Sequence, residues 1–532
     1  MKKQAAFLVV VMLIVLCACT AVENQGVEQG INNNQVDSAE NQQPPPGPEP
    51  IEEEPTPTPI PAVEEDPTPT PEAAPAQAPL KPVFLEEGSG LSSTGPWMVF
   101  NTFVGLVVVA ADGSEVVSLG FPLDDHIISW DVASHGGVLA LVKDYFSSFM
   151  DDGHKWLEIR RLPSNELILK LELMDYAGEP LSFDTEQDRI DFIADLNRAV
   201  GELAWSHDGN TLAFVGAQEG PSPDVYSYSL ETGEVLQLTS GPAHAVELSW
   251  SPDDAYIFHA GVEKMYVGYS GAGYSGWTFY AAKPDGSGVL TVADGPDGIQ
   301  LEEVLGWYSN NQVLMASGQW YCGFFDFRMV NIENGATTMI MKGQHTYSVY
   351  SPASQKALVW ISPDSFDSDE CGPAGEPGLY LVSVPGGQME KLEGVPDGFI
   401  LYEPQWDETS GLFLIEGRKS WLVVDPEGAI TEVPYPPAYS PDGKWIAYVE
   451  GEGDKFRIYN TETGEENWRM VSGRILHPIW SLDSSRLFYF AQSAADDRVY
   501  DLYMMDIPGF TSTLIVEGVI EKYNPKPVWL MP

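Results

Sequence analysis

The chain has 532 residues and carries 78 acidic against 27 basic side chains, a formal net charge of −51. A surface of that sign repels polyanions, which excludes nucleic acid and anionic lipid headgroups as partners and suits a soluble exported body. The eight histidines are scattered with no His-Glu-x-x-His pair and no Cys/His cluster, so neither a metal nor a cofactor is expected.

The N-terminus reads as a targeting segment. Met1-Lys2-Lys3 is basic, Ala5 to Leu16 is apolar but short for a permanent span, and Leu16-Cys17-Ala18-Cys19 follows. This pattern is a secretory signal, and it resembles the bacterial lipobox. That resemblance implies cleavage after residue 18 (signal 1–18), a lipid on Cys19, and a protein anchored to the outer face of the cell membrane, or to an outer membrane where the host has one. Residues 19–85 are rich in Asn, Gln, Glu and Pro, with Pro44-Pro45-Pro46 and two Thr-Pro-Thr-Pro runs. Few apolar groups and many prolines cannot offset the entropy of ordering, so a disordered tether is expected.

From residue 86 to 532 one phrase recurs. Trp205-Ser206-His207-Asp208-Gly209 precedes Leu212-Ala213-Phe214, and Trp250-Ser251-Pro252-Asp253-Asp254 precedes Tyr256-Ile257-Phe258. Tyr439-Ser440-Pro441-Asp442-Gly443 and Trp480-Ser481-Leu482-Asp483 repeat it, with weaker copies at Trp130, Trp307, Tyr350 and Trp406. Each copy spells a strand, a tight turn and a second strand: Asp bonds its own backbone, and the last turn position tolerates positive φ. A second hairpin follows each, at Asp112-Gly113, Ser164-Asn165, Thr232-Gly233, Asp285-Gly286, Asn334-Gly335, Gly386-Gly387, Glu427-Gly428, Thr463-Gly464 and Pro508-Gly509. Two hairpins per repeat make a four-stranded antiparallel sheet, and the fold expected is an all-β propeller of about eight blades, range seven to nine.

The Trp-Ser-Pro-Asp-Gly phrase resembles the WD-repeat-like propeller of the TolB family, with related blades in the propeller domains of prolyl oligopeptidases. The TolB likeness implies protein contacts within an envelope assembly, although no second TolB-like domain is recognisable. The last residues, Lys526-Pro527-Val528-Trp529-Leu530, read as an inner strand, and Gly95 to Val109 read as later strands of a repeat lacking one. The two ends are therefore expected to complete one blade, with Pro82 to Leu85 as the other source of its inner strand.

Within the propeller, Ser182 to Val200 departs from the strand pattern. Thr185-Glu186-Gln187-Asp188 caps a run with Ile190, Ile193, Leu196 and Val200 on helical spacing, which predicts an amphipathic helix over about 182–200 packed on the propeller. Cys322 and Cys371 fall in second-to-third strand loops of neighbouring repeats, and an interblade disulfide is expected in an oxidising compartment. Those loops also carry aromatics, and the candidate binding face comprises Tyr145, Trp156, Tyr269, Tyr274, Trp277, Trp320 and Tyr321.

Catalytic motifs are sparse. Gly271-Ala272-Gly273-Tyr274-Ser275-Gly276 matches a dinucleotide fingerprint in letters, yet a strand and not a helix follows it. No Gly-x-Ser-x-Gly elbow exists and no α/β domain follows the propeller. The function expected is thus a non-catalytic, monomeric lipoprotein whose propeller binds an envelope protein or glycan. The alternatives are a glycosidase- or lyase-type propeller enzyme working with channel-mouth carboxylates, and a structural surface spacer.

Overall fold

A computed structural model describes residues 79–532 except 87, 103–104, 120–124, 146–153, 175–199, 219–221, 269–270, 295–298, 320–322, 363–375, 397–398, 400, 418–419, 452, 472, 497, 508 and 522–526. The chain forms nine four-stranded antiparallel blades, one more than the central expectation and within its range. All nine second-hairpin marks fall between a third strand and an outer strand.

The first blade holds Trp97–Thr102, Gly105–Ala110 and Val116–Leu119, and its inner strand is Val528–Leu530 from the other end of the sequence. Trp97 pairs with Leu530 and Val99 with Val528, so the ring closes as the sequence implied. Val83–Phe84 does not supply the inner strand; it adds a parallel fifth strand outside Val116–Leu119. Closure removes the open inner edge on Trp97–Thr102 that would template unwanted pairing.

The other inner strands are, in blade order, Asp125–Val132, Leu203–Trp205, His244–Trp250, Ile299–Ser309, Tyr347–Ser351, Leu401–Asp407, Ala438–Tyr439 and Ile475–Trp480. The fourth blade carries an insertion. Between its strands Ile257–Val262 and Thr278–Ala282, a hairpin of Lys264–Gly268 and Gly271–Ser275 leaves the sheet and pairs with the fifth blade's inner strand, Tyr274 opposite Gln300. The glycine-rich stretch is thus a β-hairpin.

The recurring phrase works through its serine as well as its aspartate. Ser206, Ser251, Ser440 and Ser481 each donate a hydroxyl to the Asp two residues on, at 2.6, 2.8, 2.7 and 2.7 Å. Each hydroxyl also accepts the N–H five residues on, at 2.9 to 3.0 Å, which fixes where the second strand begins. The turn's last residue has positive φ in all four copies: Gly209, Asp254, Gly443 and Ser484.

The aromatic opening the phrase joins blade to blade. Trp250 and Trp480 donate Nε1–H to the carbonyls of Ala204 and Ala438 on the preceding inner strands, both at 2.9 Å, and Trp529 donates to Trp480 O at 3.0 Å. The apolar clusters follow the same logic, each straddling two blades. Phe100 packs edge-on against Phe490 across the closure, and Phe258 against Trp307 between the fourth and fifth blades. Among the described residues there is no helix. The expected helix over 182–200 lies outside them apart from Val200, which is buried against Trp205 and Phe214.

Candidate active site

The propeller brings carboxylates to one level of its inner strands. Glu202, Glu247 and Glu403 each sit three residues before a phrase aromatic, Trp205, Trp250 and Trp406. Glu303 sits four before Trp307, and a register shift between Val304 and Gly306 absorbs the additional residue. Each strand enters this level from its blade-to-blade connection, so the acids lie toward the connection end of the channel.

One of them is taken up in holding neighbouring blades together. The Glu202 carboxylate accepts the N–H groups of Glu247 at 2.8 Å and Leu248 at 2.6 Å, where a bulge puts Glu247 at φ 61°. Burial raises the Glu202 pKa above its ordinary value against the pull of those two bonds. Asp131 does the same one blade earlier, accepting Trp205 N–H at 2.9 Å while burial raises it.

Glu303 and Glu403 behave differently. Burial, and then the charge of Glu403, push Glu303 up to about 7. A whole blade, the sixth, separates their strands. Glu403 is exposed. Glu303 therefore offers a carboxyl that keeps its proton near neutral pH, and Glu403 an exposed one whose charge it feels, a division of labour suited to general acid–base chemistry. A cofactor is not needed for that chemistry, and among the described residues no group of three or more His, Cys, Asp or Glu is placed to hold a metal.

The expected aromatic face fares less well. Trp277 is 2% exposed and stacks on Phe279 at 6.1 Å inside the fourth and fifth blades' shared core, so it is a packing residue and not part of a binding face. Trp156 is half-buried on the second blade's third strand, with Lys170 Nζ 5.2 Å from its ring. Tyr145 ends a strand opposite His154, and Tyr274 lies on the inserted hairpin; the structure places their backbones only. Tyr269, Trp320, Tyr321, Cys19, Cys322 and Cys371 lie outside the described residues, so neither the lipidation site nor the disulfide is placed. Sequence reasoning named channel carboxylates as a class without naming Glu303 and Glu403. The signal was a glutamate three or four residues ahead of the phrase aromatic.

No known protein-family profile matches the chain. A 53-residue stretch is 45% identical to the uncharacterized peptidase YuxL of Bacillus subtilis (strain 168), which is 10% of this chain and 8% of that protein. The chain thus spans a small part of its curated relative's length. Among solved structures, a eukaryotic initiation factor superposes with a TM-score of 0.47 at 13% identity, covering 82% of this chain and 98% of that one. The β-propeller domain of the trilobed protease of Pyrococcus furiosus gives 0.37 at 12% identity (74% and 99%). An oligogalacturonate lyase in complex with manganese gives 0.34 at 14% (58% and 88%). Fold likeness so distant carries no activity with it. The sequence match to a peptidase, however, overturns the expectation of a non-catalytic module.

Proposed function

We propose that the chain is a propeller enzyme that cleaves an extracytoplasmic polysaccharide by general acid–base chemistry in the channel mouth. Glu303 is the acid that protonates the leaving oxygen, and the exposed Glu403 is the partner that activates the attacking water. The observation that carries this reading is Glu303, pushed up to about 7 by burial and then by the charge of Glu403. The net charge of −51 narrows the substrate, because an acidic channel repels polyuronates and favours neutral or amino-bearing glycans. Hydrolysis thereby takes precedence over elimination from a uronate. On this reading the TolB-like body is held outside the cell by a lipid on Cys19 and the 19–85 tether, within reach of envelope glycan.

A second reading rests on the likeness to YuxL, in which the propeller admits peptides to a peptidase centre. One experiment separates the two. Full-length protein is incubated with a panel of neutral and amino-sugar glycans and a panel of peptides, beside Glu303→Gln and Glu403→Gln. New reducing ends from the parent, lowered at least about 100-fold in both variants, support the glycan reading. Peptide cleavage that survives both substitutions supports the peptidase reading. Glycan cleavage that survives both removes the carboxylate assignment.

A further inference from the structure

A cleft of about 500 Å³ opens between the sixth and seventh blades, at the end of the propeller that carries the recurring turns. From the sixth to the eighth blade, the residues outside the description fall between second and third strands or between blades, toward the other end. The turns that form this cleft are therefore described throughout.

The cleft exists because a tie between turns is missing. In the fourth and ninth blades the residue four places after the phrase aromatic, Asp254 or Ser484, accepts backbone N–H groups from the turn of the preceding blade. In the sixth and seventh blades the left-handed residue comes five places after the aromatic instead, Gln355 at φ 53° and Gly411 at φ 67°. Ser410 then holds the tying position of the seventh blade, and its N–H and hydroxyl both donate to Asp407 within its own turn. Among the described residues no hydrogen bond joins the sixth turn to the seventh. Lys356 of the sixth blade donates to Pro426 O of the seventh and fixes one side of the gap.

Trp406 lines the opening. Trp205, Trp250 and Trp480 are 7%, 5% and 4% exposed, and the last two donate their indole N–H to the preceding inner strand. Trp406 is only half-buried and makes no such bond among the described residues. Phe413 meets its ring edge-on at 4.8 Å and holds it in place. Pro352 and Pro426 also line the cleft, with the carboxylates of Glu408 and Glu427. Both glutamates are exposed, and neither has an ion pair or side-chain hydrogen bond among the described residues.

This lining selects a flat cation. No Lys or Arg stands on the walls, and the nearby Lys356 is committed to Pro426 O. Unpaired carboxylates are common on a chain of net charge −51, but here two of them border an indole, whose face attracts positive charge a second time. A guanidinium meets both demands, because it stacks on aromatic rings and spreads its donors in a planar fork, whereas an ammonium is compact and strongly hydrated. We propose that this cleft binds the guanidinium of an arginine side chain presented by another polypeptide, stacked on Trp406 with its donors shared between Glu408 and Glu427.

The inference does not rest on the glycan reading, whose acids lie toward the connection end of the channel. Full-length parent is titrated at about 0.15 M salt with N-acetylarginine amide, N-acetyllysine amide and N-acetylglutamine amide, with binding read by saturation-transfer NMR. Three variants are run beside it: Glu408→Gln/Glu427→Gln, Ala353→Trp, which fills the cleft from its sixth-blade wall, and Glu231→Gln/Glu234→Gln, which removes two charges from a turn of the third blade. All the substituted residues are exposed, so each variant should fold. The arginine amide is expected to bind more tightly than the lysine amide, and the glutamine amide not at all. Its affinity should fall about ten-fold in Glu408→Gln/Glu427→Gln, vanish in Ala353→Trp and stay unchanged in Glu231→Gln/Glu234→Gln. An equal loss in the third-blade variant would show attraction to the net charge alone and overturn the proposal. So would lysine amide binding as tightly as arginine amide, no binding to the parent, or unchanged binding in both cleft variants.

Discussion

His207 and Asp254 join the turns of two consecutive blades: His207 Nδ1 lies 2.7 Å from Asp254 Oδ1, which also accepts the His207 N–H at 2.9 Å. Asp254 Oδ2 takes the Asp208 N–H at 2.9 Å. The last residue of one phrase thus reaches back to the middle of the preceding phrase. The eighth and ninth blades repeat the arrangement, with Ser484 Oγ accepting the Asp442 N–H at 3.1 Å.

Asp254 also occupies a left-handed backbone position, φ 56°, so replacing it tests two roles together. Asp254→Ala loses the acceptor and strains the backbone, and should cost about 2 to 3 kcal/mol in urea unfolding. Asp254→Gly relieves the backbone and should cost less. Asp254→Asn retains an acceptor and a tolerance for positive φ, and should cost least. A different order, with Gly as the worst, would show that the backbone conformation is not strained for Ala.

Ring closure makes a second prediction. Leu530 is fully buried and Trp529 packs edge-on against Phe488 at 5.9 Å. Removing residues 527–532 strips the inner strand from the first blade and exposes the edge of Trp97–Thr102. The truncated protein should be cut by protease between the first and ninth blades at concentrations that leave the parent intact, and should self-associate through the new edge. A truncation that stays monomeric and resistant would mean that blade packing alone holds the ring.

Much of this architecture was legible because it is local. Turn residues such as Asp208 and Gly209 act within five residues of themselves, and each of the nine hairpin marks falls in one of the nine blades. The serine of the phrase was readable in the same way and was passed over. Trp277 was misjudged because the hairpin 264–275 separates it from its own sheet in sequence while leaving it at the mouth of a core strand. The Glu303–Glu403 pair requires knowing which residues of different blades share a level, and that register depends on bulges such as the one at Gly306.

Glu303 carries a signed dependence on pH. Its folded value of about 7 stands above the ordinary 4.5. Below pH 4.5 the group is protonated folded and unfolded, and its contribution to stability is fully present. Between 4.5 and 7 the unfolded chain ionises while the folded one holds its proton, so stability falls, and above 7 the loss is complete. Glu303→Gln resembles the protonated form at every pH. The melting-temperature difference, variant minus parent, should grow from pH 4.5 to 7 and then level off. A difference that does not change across that window would remove the raised value and, with it, the general-acid assignment.

Glu158 provides the opposite sign. Its side chain, 4% exposed, meets Lys143 Nζ at 3.0 Å and Arg160 at 2.8 Å, with Lys170 at 3.7 Å. Burial pushes its pKa up, but the two buried cations together outweigh that and leave it below its ordinary value. Its contribution is therefore present above pH 4.5 and is lost as pH falls through the depressed folded value. Glu158→Gln leaves Lys143 and Arg160 buried against a neutral amide and should cost about 3 kcal/mol at pH 7, because an uncompensated buried charge is far worse than no charge. The same variant should lose less than the parent on acidification. Replacing all three with Lys143→Met, Glu158→Leu and Arg160→Met should recover most of the loss, since an apolar set of similar volume needs no pairing. Arg160 also donates to Asn165 Oδ1 at 3.1 Å, and Asn165 Nδ2 donates to Glu86 O at 3.0 Å. If the triple variant remains as unstable as Glu158→Gln, the Arg160–Asn165 tie to residue 86, and not the buried charges, is what the second blade depends on.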